Sequence, residues 1–295
     1  MIYIKYTKDY KEDFNENRFL SFIKKLNFKA KALSGNFFVK KVSNGDLIIL
    51  PSTNNLTKKK ILKFLNIYSI KTICISRELE EIGFFDGENL NVLNGKWLYK
   101  YLILNYIKYI YVNQRKNPRE QEVSFLINKI TDVDLENIEL TAKFVKNVNV
   151  ITDSISRIRI LADKLYKENG IILNITKNYK KSLLKSSVII NIDFEEDELN
   201  KFIVPRRAII INIGKNVKVN YKGFEGVNIF DYNVTIPEKY LSKEFSSFRK
   251  EILYESYLYK NTSPKNIFKE IKSDNILIES LVGQKGIIRR QEFSN

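Results

Sequence analysis

Between residues 121 and 214, short Ile- and Val-rich runs alternate with amphipathic stretches, and this rhythm constrains the fold more than any other feature of the chain. "VSFLIN" reads as a strand and "DLENIELTAKFVK" as a helix. "VNVIT" is the next strand, followed by the helix "SISRIRILADKLYKENG", which Gly170 closes in the position where a left-handed residue ends a helix. "IILNIT" is a strand, "YKKSLLKSS" a short helix or turn, "VIINID" a strand, "EEDELNKFIV" a helix and "RAIIINIG" a strand. Five near-continuous apolar strands alternating with helices call for a mostly parallel sheet covered on both faces. The fold class is therefore α/β, with a mostly parallel sheet and helices on both faces over 121–235.

Residues 1–94 read as a smaller α/β domain. "MIYIKYT" is a strand, and "NRFLSFIKKLNF" has helical spacing at Phe19, Phe22, Ile23 and Leu26. "FFVKKVSNGDLIIL" is two apolar runs joined by "NG", which predicts a hairpin. "NLTKKKILKFLNIY" is a helix with Ile61, Leu62, Phe64 and Leu65 inward, and "IKTICIS" is a strand. Residues 95–120 are a connecting helix and linker. The helix spans 95–113 with Leu98, Leu102, Leu104, Ile107 and Ile110 as apolar positions, and Pro118 marks the linker. From 236 to 295 the chain reads as a helical segment. It has one long helix over 235–260 carrying Leu241, Phe245, Phe248 and Ile252 on one stripe, then "NIFKEIK" as a shorter one.

Composition narrows the chemistry. The chain has no histidine and one cysteine, Cys74. That excludes Ser-His-Asp and Cys-His nucleophile systems, histidine metal ligands and a thiolate zinc site within one chain, so no metal is expected. Any catalysis would rest on Lys, Asp, Glu, Tyr or a cofactor. The single cysteine also excludes an internal disulfide and fits a reducing, cytoplasmic setting. No apolar run reaches the length of a membrane span.

The net charge is +16, yet of the 50 basic residues only 11 are arginine and 39 lysine. Arginine is the side chain suited to bidentate recognition of phosphate and guanine, and the lysines are spread along the chain. A solvated lysine-rich surface is the expectation, and a nucleic-acid partner is not. A protein partner or a small molecule fits better.

The phrases "NVNVITDSISRIRILADKL", "LLKSSVIINID" and "VPRRAIIINIG", with a long helix leading into "EVSFLIN", resemble the nucleotide-binding half of shikimate dehydrogenase and glutamyl-tRNA reductase. The resemblance implies a Rossmann domain that binds NADP or NAD. It also implies a glycine-rich turn after the first strand, where backbone N–H groups meet the pyrophosphate. Here that turn is Asn128, Lys129, Ile130, Thr131, Asp132, Val133 and Asp134, with no glycine. Asp132, Asp134 and Glu136 complement the positive end of the next helix and would repel a phosphate there. Thr131 or Asp132 can act as N-cap.

The remaining candidate ligand residues are Lys129 and Thr131 in this turn, and Asp153, Ser154 and Arg157 after the second strand. Asp153 stands where the resemblance puts a ribose-binding acid, and its alternative role is N-cap of the 155–168 helix. Asn191 and Asp193 end the strand "VIINID", where open α/β sheets bind ligands. The families' catalytic residues find no match in 1–94, and Cys74 reads as a core residue. The expectation is a dehydrogenase-like fold that has lost conventional dinucleotide binding and no longer works as an enzyme, acting as a binding or scaffold protein without cofactor. The alternatives are an NAD(P)-dependent oxidoreductase with an atypical loop and a basic nucleic-acid-binding protein.

Overall fold

A computed structural model describes the chain except residues 9–17, 43–44, 178–179, 220–222 and 295, and the side chains of 18–22 and 294 are also outside the described set. Phe19 and Phe22 of the sequence reading therefore lie outside it. The chain divides into two compact units, Met1–Trp97 with Ile236–Asn275, and Leu98–Thr235 with Ile276–Asn295.

The first unit begins with β1 (Ile2–Tyr6), α1 (Arg18–Ser34), β2 (Phe38–Val42), β3 (Gly45–Leu50), α2 (Asn55–Ile67), β4 (Thr72–Ile75), α3 (Arg77–Glu81) and β5 (Asn91–Leu93). The sheet order is β2-β3-β1-β4-β5. β1 runs parallel to β3 and β4, β5 runs parallel to β4, and β2 forms the antiparallel hairpin with β3. Of the "NG" that joins this hairpin, Asn44 is outside the described residues and Gly45 opens β3 at a φ of 152°. Ile4, Ile48, Leu50, Ile61, Leu65 and Ile73 form the core, with Leu62 and Phe64 partly buried against it.

Helix α1 corrects the sequence reading. Ile23 and Leu26 are 45% and 51% exposed, while Phe28 is buried. At 3.6 residues per turn, Leu26 lies about 200° around the helix from Phe28. The helix packs through Phe28, whose ring stacks on Phe38 at 5.9 Å.

The chain enters the second unit along α4 (Lys96–Tyr101) and α5 (Ile103–Gln114). The single helix expected over 95–113 is thus interrupted at Leu102, whose φ of −100° and ψ of 10° leave the helical range. Leu98, Leu102, Ile107 and Ile110 are fully buried, as their spacing predicts, and Leu104 is half-buried. Tyr99, Tyr106 and Tyr111 are buried too. Tyr99 stacks on Tyr232 with ring centroids 5.0 Å apart. These tyrosines are core, not a surface for stacking ligands.

Next come β6 (Glu122–Leu126), α6 (Asp132–Ala142), β7 (Asn147–Ile151), α7 (Ile155–Asn169), β8 (Leu173–Thr176), β9 (Val188–Asn191), α8 (Glu196–Leu199), β10 (Ile209–Asn212) and β11 (Val227–Thr235). α9 (Lys250–Asn261) and α10 (Ile267–Ser273) return to the first unit, and β12 (Leu277–Gly283), β13 (Gly286–Ile287) and α11 (Arg290–Ser294) complete the second.

The second sheet has the order β13-β12-β11-β10-β9-β6-β7-β8. From β8 to β11 the strands are parallel, and β12 and β13 extend the sheet antiparallel. Counted from β6, the six parallel strands stand in the order 3-2-1-4-5-6, that of the doubly wound dinucleotide-binding fold. Val123, Phe125, Val150, Ile190 and Ile211 are fully inaccessible, as strands covered on both faces require.

Three further strands, β11, β12 and β13, depart from the sequence reading. "VNIFDYNVT" mixes Asn and Asp into a strand, and such residues are poor strand formers outside tertiary context. The long helix expected over 235–260 is also corrected. Two 3-10 turns, Glu238–Tyr240 and Lys243–Phe245, precede α9. Phe245, Phe248 and Ile252 are buried, but Leu241 is 41% exposed. Pro237 and the serines at 242, 246 and 247 break the helix, because serine hydroxyls compete for local hydrogen bonds; that of Ser242 donates to Glu244 at 3.0 Å.

Candidate functional site

In a doubly wound sheet the crevice for a dinucleotide opens at the carboxyl ends of the strands, above the first strand and its neighbour across the topological switch. In this unit those strands are β6 and β9. The loop after β6 runs from Ile127 to Thr131 and delivers the chain to α6. Ile130 is buried and anchors it.

The backbone N–H groups of this loop are occupied by the protein itself. Asp193, two residues beyond β9, accepts from the N–H of Asn128 at 2.6 Å and from that of Lys129 at 2.7 Å, one with each carboxylate oxygen. The Asn128 side-chain amide donates to Glu198 at 3.1 Å. The Ser154 hydroxyl donates to the Asn128 carbonyl at 3.0 Å. Arg157 donates to the Ile130 carbonyl and, at 2.8 Å, to Asp132.

The start of α6 is closed in the same way. Thr131 is the N-cap residue, and Asp134 accepts from both its N–H and its hydroxyl, at 2.8 Å and 2.6 Å. Asp134 is fully buried, and the Lys100 ammonium stands 2.9 Å from it. Lys100 also donates to the Thr131 hydroxyl at 3.1 Å. Burial first, and then the negative charge of Asp134, push the Tyr101 phenol above its ordinary pKa of 10.0.

The other sequence candidates lie around this core. Asn191 is buried at the end of β9 and is consumed by structure. Its side chain accepts from the N–H of Phe194 at 2.9 Å and donates to the Phe194 carbonyl and to Asn212. Asp153 is largely exposed, 3.6 Å from the Lys177 ammonium. It is not the N-cap of α7; that residue is Ser154, without a side-chain capping bond.

The structure thus brings Lys129, Thr131, Ser154, Arg157 and Asp193 together around the loop at the carboxyl ends of β6 and β9, while Asp153 pairs with Lys177. It revises how the loop is closed. The sequence reading set Asp132, Asp134 and Glu136 at the start of the helix; Asp134 does close that end through Thr131, whereas Asp132 is 92% exposed and pairs with Arg157. Asp134 serves Thr131 and Lys100, and the loop amides belong to Asp193. The parts played by Lys100 and Glu198 went unread, because both arrive from elements distant in sequence. Chemically, the arrangement is a set of N–H donors already holding a carboxylate. Among the described residues no group of His, Cys, Asp and Glu side chains forms a metal site, and no helix is long and apolar enough to cross a membrane.

No protein-family model matches the chain, and no curated protein matches it. Among solved structures, the chain is similar to a protein from Ralstonia solanacearum assigned as a D-3-phosphoglycerate dehydrogenase oxidoreductase, at 10% identity over 92% of this chain and 95% of that one, with a TM-score of 0.39. It is similar to a D-isomer specific 2-hydroxyacid dehydrogenase from Lactobacillus delbrueckii ssp. bulgaricus in its NAD complex, at 10% identity over 72% and 71%, with a TM-score of 0.28. It is also similar to L-tryptophan dehydrogenase from Nostoc punctiforme, at 10% identity over 94% and 84%, with a TM-score of 0.32. On its own strand order and helix placement, the second unit is a Rossmann-like α/β domain.

Proposed function

We propose that this protein is a dehydrogenase-like Rossmann protein that has given up conventional dinucleotide binding and acts as a non-catalytic binding or scaffold protein. The observation that carries the reading is the Asp193 carboxylate on the N–H groups of Asn128 and Lys129. These are the donors a pyrophosphate would need, and a fixed carboxylate both occupies them and repels a second anion. Asp134, buried beside Thr131 and paired with Lys100, takes up the Thr131 N–H and hydroxyl at the same helix end. The absence of any glycine between 127 and 134 agrees, since close approach of a pyrophosphate to this backbone needs residues without a Cβ.

Calorimetric titration of the purified protein with NADPH and with NAD in moderate salt tests the proposal. The expected result is no heat and no thermal shift at millimolar cofactor. A dissociation constant near about 10 μM, equivalent to about −7 kcal/mol, would overturn it and restore the oxidoreductase reading.

A further inference from the structure

The first unit carries a cavity of about 1050 Å³. In that sheet the chain passes from β1 to β3 on one side and then through α2 to β4 on the other. The connections after β1 and β4 therefore leave in different directions, and a crevice opens at their carboxyl ends, the place where open α/β sheets take ligands. The cavity is at that end. Thr7 and Lys8 follow β1, Thr53 follows β3, and Glu78 and Ile82 follow β4, and all of them line it.

Its lining has two chemical characters. One wall is apolar: the stacked Phe28 and Phe38 rings, Val39, Ile49 and Ile82. Val39 and Ile82 are 51% and 57% exposed, so apolar surface faces water at the rim. The other character is basic. Lys5, Lys8 and Lys40 line the cavity against Glu78 and Glu81, and Glu81 is held by the Arg77 guanidinium at 2.9 Å. Lys40 stands 3.4 Å from Glu244, a surface pair that a competing anion can exchange at little cost. The Ser247 hydroxyl also lines the cavity and is buried with no hydrogen-bond partner among the described residues. A buried hydroxyl of that kind costs stability until something bonds to it.

We propose that this cavity binds a small amphipathic carboxylate, with its apolar body against Phe38, Val39 and Ile82 and its anionic head among the lysines. The volume suits a ligand of that size, and the mixture of an apolar wall with a few polar groups is that of ligand pockets generally. The charged side chains of the lining, Lys5, Lys8 and Lys40 with Glu78 and Glu81, carry one net positive charge, which sets the sign of the head group.

The test is calorimetric titration of the full chain with decanoate, and in parallel with decyltrimethylammonium. The variants are Lys8→Glu and Ile82→Asp, both at exposed positions where the fold tolerates a charge, with melting curves to verify it. The expected result is saturable one-to-one binding of decanoate, about tenfold weaker in either variant, and no saturable binding of the ammonium amphiphile. The inference is overturned if decanoate shows no saturation at millimolar concentration, if the ammonium amphiphile binds equally well, or if both variants bind decanoate as the natural chain does. Because the readout involves no dinucleotide, it stands or falls separately from the proposed loss of cofactor binding.

Discussion

Removing the Asp193 carboxylate leaves the N–H groups of Asn128 and Lys129 without their acceptor. Asp193→Ala is expected to lower stability by about 1–3 kcal/mol in urea unfolding, the usual cost of orphaned donors; an unchanged midpoint would mean that water replaces the carboxylate freely. Asp134→Ala should cost more, about 3 kcal/mol, because it strands the Lys100 ammonium beside a buried helix end. Asp274 gives the chain a pH dependence of its own. Burial works to raise its pKa, but hydrogen bonds from Lys239, Tyr240 and Tyr254 together outweigh that and hold it below the ordinary 3.8. A carboxylate depressed in the folded state contributes stability above its unfolded pKa and loses it as pH falls through the folded value. Asp274→Asn should therefore show a smaller drop in stability between neutral pH and the region below pH 3.8 than the natural protein, measured by urea midpoints at each pH. At the alkaline end, burial raises Tyr3 and Tyr111 to about 12. Their contribution is complete below pH 10.0 and fades as pH rises toward 12, so tyrosinate absorbance should show these two phenols ionising above pH 10.0 or only with unfolding.

Among the elements, those with a strong local signal were legible and those defined by their neighbours were not. β6, β7, β9 and β10 are dominated by Val, Ile, Phe and Leu, and they form the centre of the sheet as read. α7 ends at Gly170 because that residue sits at a φ of 66°. A Cβ there would meet nothing within 4 Å, so Gly170→Ala should cost only the left-handed strain, about 1 kcal/mol. Gly226 differs, because a Cβ there would fall 2.1 Å from the Ala208 carbonyl oxygen. Gly226→Ala should force β10 and the start of β11 apart and cost about 1–3 kcal/mol by thermal unfolding. The 235–260 segment has a helix-like apolar spacing, yet Pro237 and its serines turn the first half into 3-10 turns. Periodicity alone does not weigh such breakers. β11 and β12 escaped notice because their polar residues are satisfied by partners across the strands, as Asn233 is by Ser280 at 2.7 Å.

At the scale of the whole molecule, the chain returns to each unit after leaving it. The first unit is completed only by Ile236–Asn275, and the second only by Ile276–Asn295. Tyr3 of β1 hydrogen-bonds Ser256 at 2.8 Å and packs on Phe245 and Phe248. Glu255, fully buried, accepts from the N–H groups of Gly95 and Trp97. Truncation after residue 235 should therefore unfold or loosen β1 and β4, seen as loss of amide-exchange protection in those strands; retained protection would show that they need no partner from the C-terminal region. The α/β class, the parallel core of the second sheet and the want of glycine in the β6–α6 loop are all legible in residue type and order, because burial on both faces and backbone sterics act locally on each segment. Which anion closes that loop is set by the packing of the folded chain. Asp193 is 64 residues from Lys129 along the chain, and nothing local to either residue encodes their meeting; the pairing of β6 with β9 brings the two strand ends together and supplies the carboxylate that the missing glycines would have left to a ligand.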